Sequence, residues 1–133
     1  MNPTKLKVLS VDDSPTIFSH LEYVLKDLSY IDWVGHAFKI SCGKAMATTL
    51  NPDVVLLDIM VEDESGFDLL KHLKEKYPNI KVFMLSNLAD SIYNKKSIKM
   101  GASHYIDKSF EFHTIEDLLE IEYYNRNMKS LQN

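Results

Sequence analysis

The sequence predicts an α/β chain, a doubly wound parallel sheet of five strands with helices on both faces. Three observations carry that expectation. Strand-like and helix-like stretches alternate five times along the chain, and right-handed crossovers return each such unit to the same sheet. The runs at 54–57 and 82–85 are apolar at every position, as strands covered on both faces must be. Four of the runs break off at polar residues, and ligands of open parallel sheets sit beyond the carboxyl ends of the strands.

Leu6–Val11 is the first strand, and it stops at Asp12-Asp13-Ser14-Pro15, a cluster that ends a strand and starts a helix. Beyond Pro15, the residues Ile17, Leu21, Val24, Leu25 and Leu28 recur at helical spacing on one face. Residues 33–38 read as the second strand. Residues 41–50 read as a short helix rich in Ala and Met, closed by Asn51-Pro52 because the residue before a proline is pushed out of helical backbone. The third strand, 54–57, ends at Asp58. After a polar stretch at 62–65, Phe67, Leu70, Leu73 and Tyr77 form another helical stripe, stopped by Pro78-Asn79. The fourth strand, 82–85, ends at Ser86. Residues 89–100 make a weaker helix with Gly101 as its C-terminal cap. Tyr105 and Ile106 lie in a short fifth strand, and 114–124 is the last helix, opened by Thr114 with Asp117 three residues on.

With 133 residues, 45% hydrophobic and 26% charged, the chain is sized and composed for one compact domain. That domain is expected over residues 1–125, with a short polar tail at 126–133. No window approaches the ~18 consecutive apolar residues of a membrane span. The net charge of −4 provides no basic field for phosphate backbones. Neither membrane insertion nor direct nucleic-acid binding is therefore expected. Cys42 has no intrachain partner and is read as buried or inert, and the default setting is cytoplasmic.

The polar strand ends bring Asp12, Asp13, Asp58, Ser86 and Lys108 to one sheet edge. Three carboxylates there repel one another, so at least one should have a raised pKa unless a cation relieves the cluster. Mg²⁺ typically takes one or two carboxylates plus water and phosphate oxygens, which suits a small open site. Lys108 adds a positive charge and Ser86 a hydroxyl donor, both suited to phosphoryl oxygens. A carboxylate can itself attack phosphorus and form an aspartyl phosphate where metal and ammonium offset the accumulating charge. Asp58, at the end of the most apolar strand, is the best-placed nucleophile, with Asp12 and Asp13 as metal holders.

In this order, these residues resemble the receiver domain of two-component response regulators, of the single-domain chemotaxis-regulator type. The resemblance runs over roughly residues 5–124 and rests on Asp12-Asp13, Asp58, Ser86, Tyr105 and Lys108, with Gly66 eight residues after Asp58. It implies a flavodoxin-like (βα)5 fold with strand order 2-1-3-4-5. It also implies Mg²⁺ or Mn²⁺ held directly by Asp13 and Asp58, through water by Asp12, and by the backbone carbonyl of Met60. A histidine kinase or histidine phosphotransfer protein would supply the phosphoryl group to Asp58 from its own histidine. Ser86 would then bond a phosphoryl oxygen and Tyr105 would turn inward. The face of helix four, strand five and helix five would change shape for a downstream protein target. Such a chain is a bacterial signalling phosphoacceptor of phosphorelays, not an enzyme beyond catalysing its own phosphorylation and dephosphorylation.

Three positions depart from the family pattern. Glu62, followed by Asp63 and Glu64, stands where a proline is usual, and its charge is expected to slow phosphorylation by small anionic donors or to alter metal affinity. Asn87 replaces a small residue and narrows access to Asp58. Ser109 replaces a proline, which removes the usual reason for a cis peptide bond there. Met60 and Leu88, two residues beyond Asp58 and Ser86, occupy positions that tune dephosphorylation in similar proteins. The alternative function is a pseudo-receiver, a phosphorylation-independent protein-interaction module. A nucleotide-binding enzyme fits less well, because the turn after the first strand lacks glycine and carries two aspartates. Lys95, Lys96 and Lys99 read as the solvated face of the fourth helix, and the histidines, without metal-ligand spacing, as structural.

Overall fold

The computed structural model describes residues 4–87, 91–109 and 112–132. Leu88 and the expected first residue of the fourth helix, Ala89, lie outside them. The main elements are β1 (Leu6–Val11), α1 (Pro15–Leu25), β2 (Ile31–Ala37), α2 (Ile40–Leu50), β3 (Val54–Asp58), α3 (Gly66–Lys76), β4 (Lys81–Ser86), α4 (Ser91–Lys99), β5 (His104–Asp107) and α5 (Thr114–Gln132). The strands form one sheet in the order β2-β1-β3-β4-β5, every neighbouring pair parallel.

Alternate residues of the central strands feed two separate core layers. Val55, Leu57, Val82 and Met84 pack with Ala47 of α2 and Leu69, Leu70 and Leu73 of α3. Val54, Leu56, Phe83 and Leu85 pack with Leu21 and Leu25 of α1 and Ile115 and Leu119 of α5. The unbroken apolar runs at β3 and β4 are thus two interleaved faces, each covered by helices. Each fully buried Leu or Val contributes about 1.5–3 kcal/mol relative to exposure, so these layers fix where the strands stop. Among the described residues, no helix is long and apolar enough to cross a membrane.

Several boundaries differ from the sequence expectation. β2 starts at Ile31, because the exposed Asp32 that interrupts the apolar pattern sits in an edge strand that tolerates one solvated side chain. Leu28 lies beyond α1, in the connection where its amide donates to the Leu25 carbonyl at 3.2 Å, yet it still packs on the core. The polar stretch after Asp58 holds a two-residue antiparallel hairpin, Met60–Val61 with Glu64–Ser65. Cys42 is exposed rather than buried. The segment read as a polar tail at 126–133 continues α5 to Gln132. No proline or glycine interrupts it, and Arg126 and Asn127 anchor it to the start of the chain through the Lys5 and Thr4 carbonyls.

Candidate functional site

Each residue of the expected acidic cluster leaves the sheet from a strand end that the ladder still holds. Beyond β1, the Asp12 amide donates to the Ala37 carbonyl at 3.0 Å. The Asp12 side chain is fully buried. Its Oδ1 accepts the Ser14 amide at 2.8 Å, and its Oδ2 accepts the Lys108 ammonium at 2.9 Å. Asp13 is exposed, and its Oδ2 accepts the Glu62 amide at 2.9 Å. Helix capping falls to Ser14, whose hydroxyl accepts the Ile17 amide at 3.3 Å, with Pro15 opening α1. Neither aspartate therefore serves as the cap of α1.

Asp58 is the last residue of β3, in register with Leu85, and only 8% exposed. Behind it begins α3: the Gly66 amide donates to the Ile59 carbonyl at 2.7 Å. A Cβ at position 66 would stand 2.0 Å from the Asp58 carbonyl oxygen. Only glycine lets the helix start this close to the strand end. Lys108 follows β5, its amide held by the Ser86 carbonyl at 2.7 Å. Its Nζ bridges Asp12 Oδ2 at 2.9 Å and Asp58 Oδ2 at 3.0 Å. Ser86, fully buried at the end of β4, lines an open cavity of about 270 Å³ together with Asp13, Asp58, Met60, Asn87 and Lys108. A water occupies ~30 Å³ in the liquid, so there is room for a hydrated cation and a phosphoryl group. A larger cavity opens at the opposite end of the sheet, beside Asp53 and Arg126, where no comparable acidic cluster gathers among the described residues.

The electrostatics follow from one cation serving several anions. Burial and then the Asp12 charge, opposed only in part by Lys108, together raise the Asp58 carboxyl from 3.8 to about 6. Burial by itself would lower Lys108, but the charge of Asp58 and the Asp12 hydrogen bond outweigh it and hold the ammonium above its ordinary range. The lysine is fully compensated while the carboxylates are not. Asp12, Asp13 and Asp58 can each offer one oxygen within 4.8 Å of the others. This hard, all-oxygen set with one solvent-facing member fits a Mg²⁺-type ion that keeps several waters.

The other expected residues are placed as follows. The Met60 amide donates to Asp58 Oδ1 at 3.3 Å, and its side chain is 54% exposed beside the cavity. Tyr105 is apart from the cluster: half-buried on β5, in register with Met84, it packs on the core layer beneath α2 and α3. Glu62 has φ of +56°, so a proline cannot adopt this backbone. The Ser109 amide donates to Asp107 Oδ1 at 2.8 Å, and the described residues contain no cis peptide bond. Lys95 and Lys99 are solvated, whereas Lys96 Nζ lies 4.4 Å from the centre of the Phe67 ring.

One set of residues at the site escaped the sequence reading. Ser10, fully buried inside β1, bonds His36 Nδ1 at 2.6 Å and Trp33 Nε1 at 2.9 Å. His36 Nε2 reaches the Asp12 carbonyl at 2.9 Å. The available signal was a serine in an otherwise buried central strand, which demands a partner.

The response regulator receiver domain family matches this chain over residues 8–120. The transcriptional regulatory protein MctR of Rhizobium johnstonii is 30% identical over 116 residues, covering 87% of this chain and 54% of that protein. The response regulator protein VraR of Staphylococcus saprophyticus is 28% identical over 123 residues, covering 92% and 59% respectively. The chain thus spans little more than half the length of these curated relatives. Among solved structures, the receiver domain of the Francisella response regulator 1452 superposes with a TM-score of 0.80 at 28% identity, over 94% of this chain and 99% of that one.

Proposed function

The chain belongs to the response regulator receiver domain family, and from that premise we propose that it is a phosphorylation-controlled switch whose phosphoacceptor is Asp58. The observation that carries this reading is the single ammonium of Lys108 shared between the buried carboxylates of Asp12 and Asp58 beside Ser86. One ammonium does not balance the three carboxylates, so the constellation is suited to take up a cation and, with it, an anionic phosphoryl group. A partner histidine kinase or phosphotransfer protein presents a phosphohistidine. An Asp58 carboxylate oxygen attacks phosphorus, the P–N bond breaks, and its electron pair stays on the imidazole nitrogen, which takes a proton. Lys108 and the Ser86 hydroxyl stabilise the phosphoryl oxygens. Asp13, Asp58 and the Met60 carbonyl would hold a Mg²⁺ ion, with Asp12 acting through water, and the ion would supply positive charge against that gathering on those oxygens.

The chemistry is confined to the domain's own phosphorylation and dephosphorylation; it is not a dedicated enzyme. The readout is a change in the face of α4, β5 and α5, with Tyr105 as the switch aromatic, toward a protein target. A cytoplasmic setting agrees with a thiol left exposed and unpaired at Cys42. The test is intact-mass measurement after incubation with a small acyl-phosphate donor, with and without Mg²⁺. One added phosphoryl group is expected, dependent on Mg²⁺ and absent from Asp58→Asn. No addition combined with no Mg²⁺ binding would instead favour the phosphorylation-independent interaction module.

A further inference from the structure

The polar chain under the acidic pair has a direction fixed by chemistry. The Trp33 indole can only donate, so Ser10 Oγ accepts from it at 2.9 Å. Ser10 Oγ also meets His36 Nδ1 at 2.6 Å. In the neutral ring, which burial favours, Nδ1 accepts the Ser10 proton, because Nε2 carries the hydrogen that it donates at 2.9 Å to the Asp12 carbonyl, which can only accept. That carbonyl has left the β1 ladder, and Pro15, lacking an N–H, cannot close a turn onto it. His36 supplies the missing donor. Phe18 of α1 stacks on the imidazole at 4.9 Å and Phe38 meets it edge-on at 4.6 Å, so the ring is clamped between the first helix and the end of β2.

We propose that Trp33, Ser10 and His36 form a positioning chain that holds the Asp12-Asp13 pair in its ion-binding geometry, His36 acting through the Asp12 carbonyl. The inference rests on the receiver reading of the acidic site. His36 is a positioning residue here, since it touches neither the cavity nor the reacting atoms. Its role parallels groups behind metal ligands whose loss typically weakens binding by roughly 10–100-fold.

Two measurements decide it. Nitrogen NMR of the wild-type protein at neutral pH should show His36 as the Nε2–H tautomer; the Nδ1–H tautomer overturns the proposal. Calorimetric Mg²⁺ titration, with unfolding midpoints in parallel, should show roughly tenfold weaker binding in His36→Phe and Ser10→Ala. The double variant should lose no more than the worse single one. His36→Gln, which keeps an acceptor and a donor on one planar group, should recover most of the loss. Variants with lower midpoints but wild-type Mg²⁺ affinity overturn the proposal, because that is the signature of packing alone. Should His36→Phe fail to fold, His36→Gln and Ser10→Ala still decide the matter. A wild-type protein that binds no Mg²⁺ overturns the reading of the site itself, a different result from equal affinities across the series.

Discussion

Asp58 sits where three unfavourable conditions meet: burial at the end of β3, the neighbouring Asp12 carboxylate, and a lysine it must share. Its carboxyl is pushed from 3.8 to about 6, so the folded state holds this proton more tightly than the unfolded state. Where the folded state binds more protons, stability falls as pH rises. For the metal-free protein, this group's penalty therefore sets in between 3.8 and about 6 and is complete above that. Asp58→Asn removes it. We expect the variant to be more stable than wild type by on the order of 2–3 kcal/mol near pH 8 and about equally stable near pH 4. Denaturant unfolding of both proteins at both values checks this, and a gain that is the same at each pH would refute the cause. Saturating Mg²⁺ should shrink the gap, because the wild-type carboxylate then has its counter-charge.

At the scale of elements, the hairpin between β3 and α3 controls how Asp13 is presented. Glu62 occupies the left-handed region at φ +56°, a conformation that costs an L-residue about 1–2 kcal/mol, and its amide holds Asp13 Oδ2. Glu62→Gly should stabilise the protein by about 1 kcal/mol. Glu62→Pro should do the opposite, losing both the backbone conformation and the donor to Asp13. The charge is therefore tested by Glu62→Gln. Faster phosphorylation by an anionic acyl phosphate at low ionic strength, with the advantage fading as salt is added, is the expected result. Equal rates at low salt would remove the electrostatic account. This hairpin also marks where the sequence was hard to read. The buried strands announced themselves by unbroken apolar runs, and Asp12, Asp13, Asp58, Ser86 and Lys108 by ending them. Nothing in Glu62-Asp63 has the glycine or asparagine that normally signals positive φ. Two-residue strands are too short for any period to show. His36 was opaque for another reason: its partner Ser10 is 26 positions away, and only parallel pairing of β1 and β2 brings them into register.

Across the whole molecule the two ends of the sheet do different work. Charges at the carboxyl end are under-compensated, whereas at the amino end Asp53 and Arg126 are paired. Asp53 is the knot: its Oδ2 accepts the Lys7 amide at 2.8 Å and the Arg126 guanidinium, its amide donates to the Lys7 carbonyl at 2.8 Å, and its carbonyl accepts the Lys81 amide at 3.0 Å. One residue thus joins the starts of β1, β3 and β4 to the last turns of α5. Arg126 also reaches the Lys5 carbonyl at 3.3 Å, and Asn127 the Thr4 carbonyl at 3.4 Å. These contacts explain why the helix continues through a stretch whose composition reads as a tail. Loss of Arg126 exposes Asp53 to solvent without stranding the Lys7 amide, so Arg126→Ala should cost about 1 kcal/mol. Asp53→Ala removes the shared acceptor and leaves both the Lys7 amide and the guanidinium without it, so it should cost about 2–3 kcal/mol. Because the knot lies at the end of the sheet remote from Asp58, both variants should keep the wild-type rate of acyl-phosphate labelling at temperatures where they are folded. Denaturant midpoints alongside labelling rates test the assignment. It fails if Asp53→Ala is no more destabilising than Arg126→Ala, or if either slows labelling of the folded protein, since the two ends of the sheet would then not be independent.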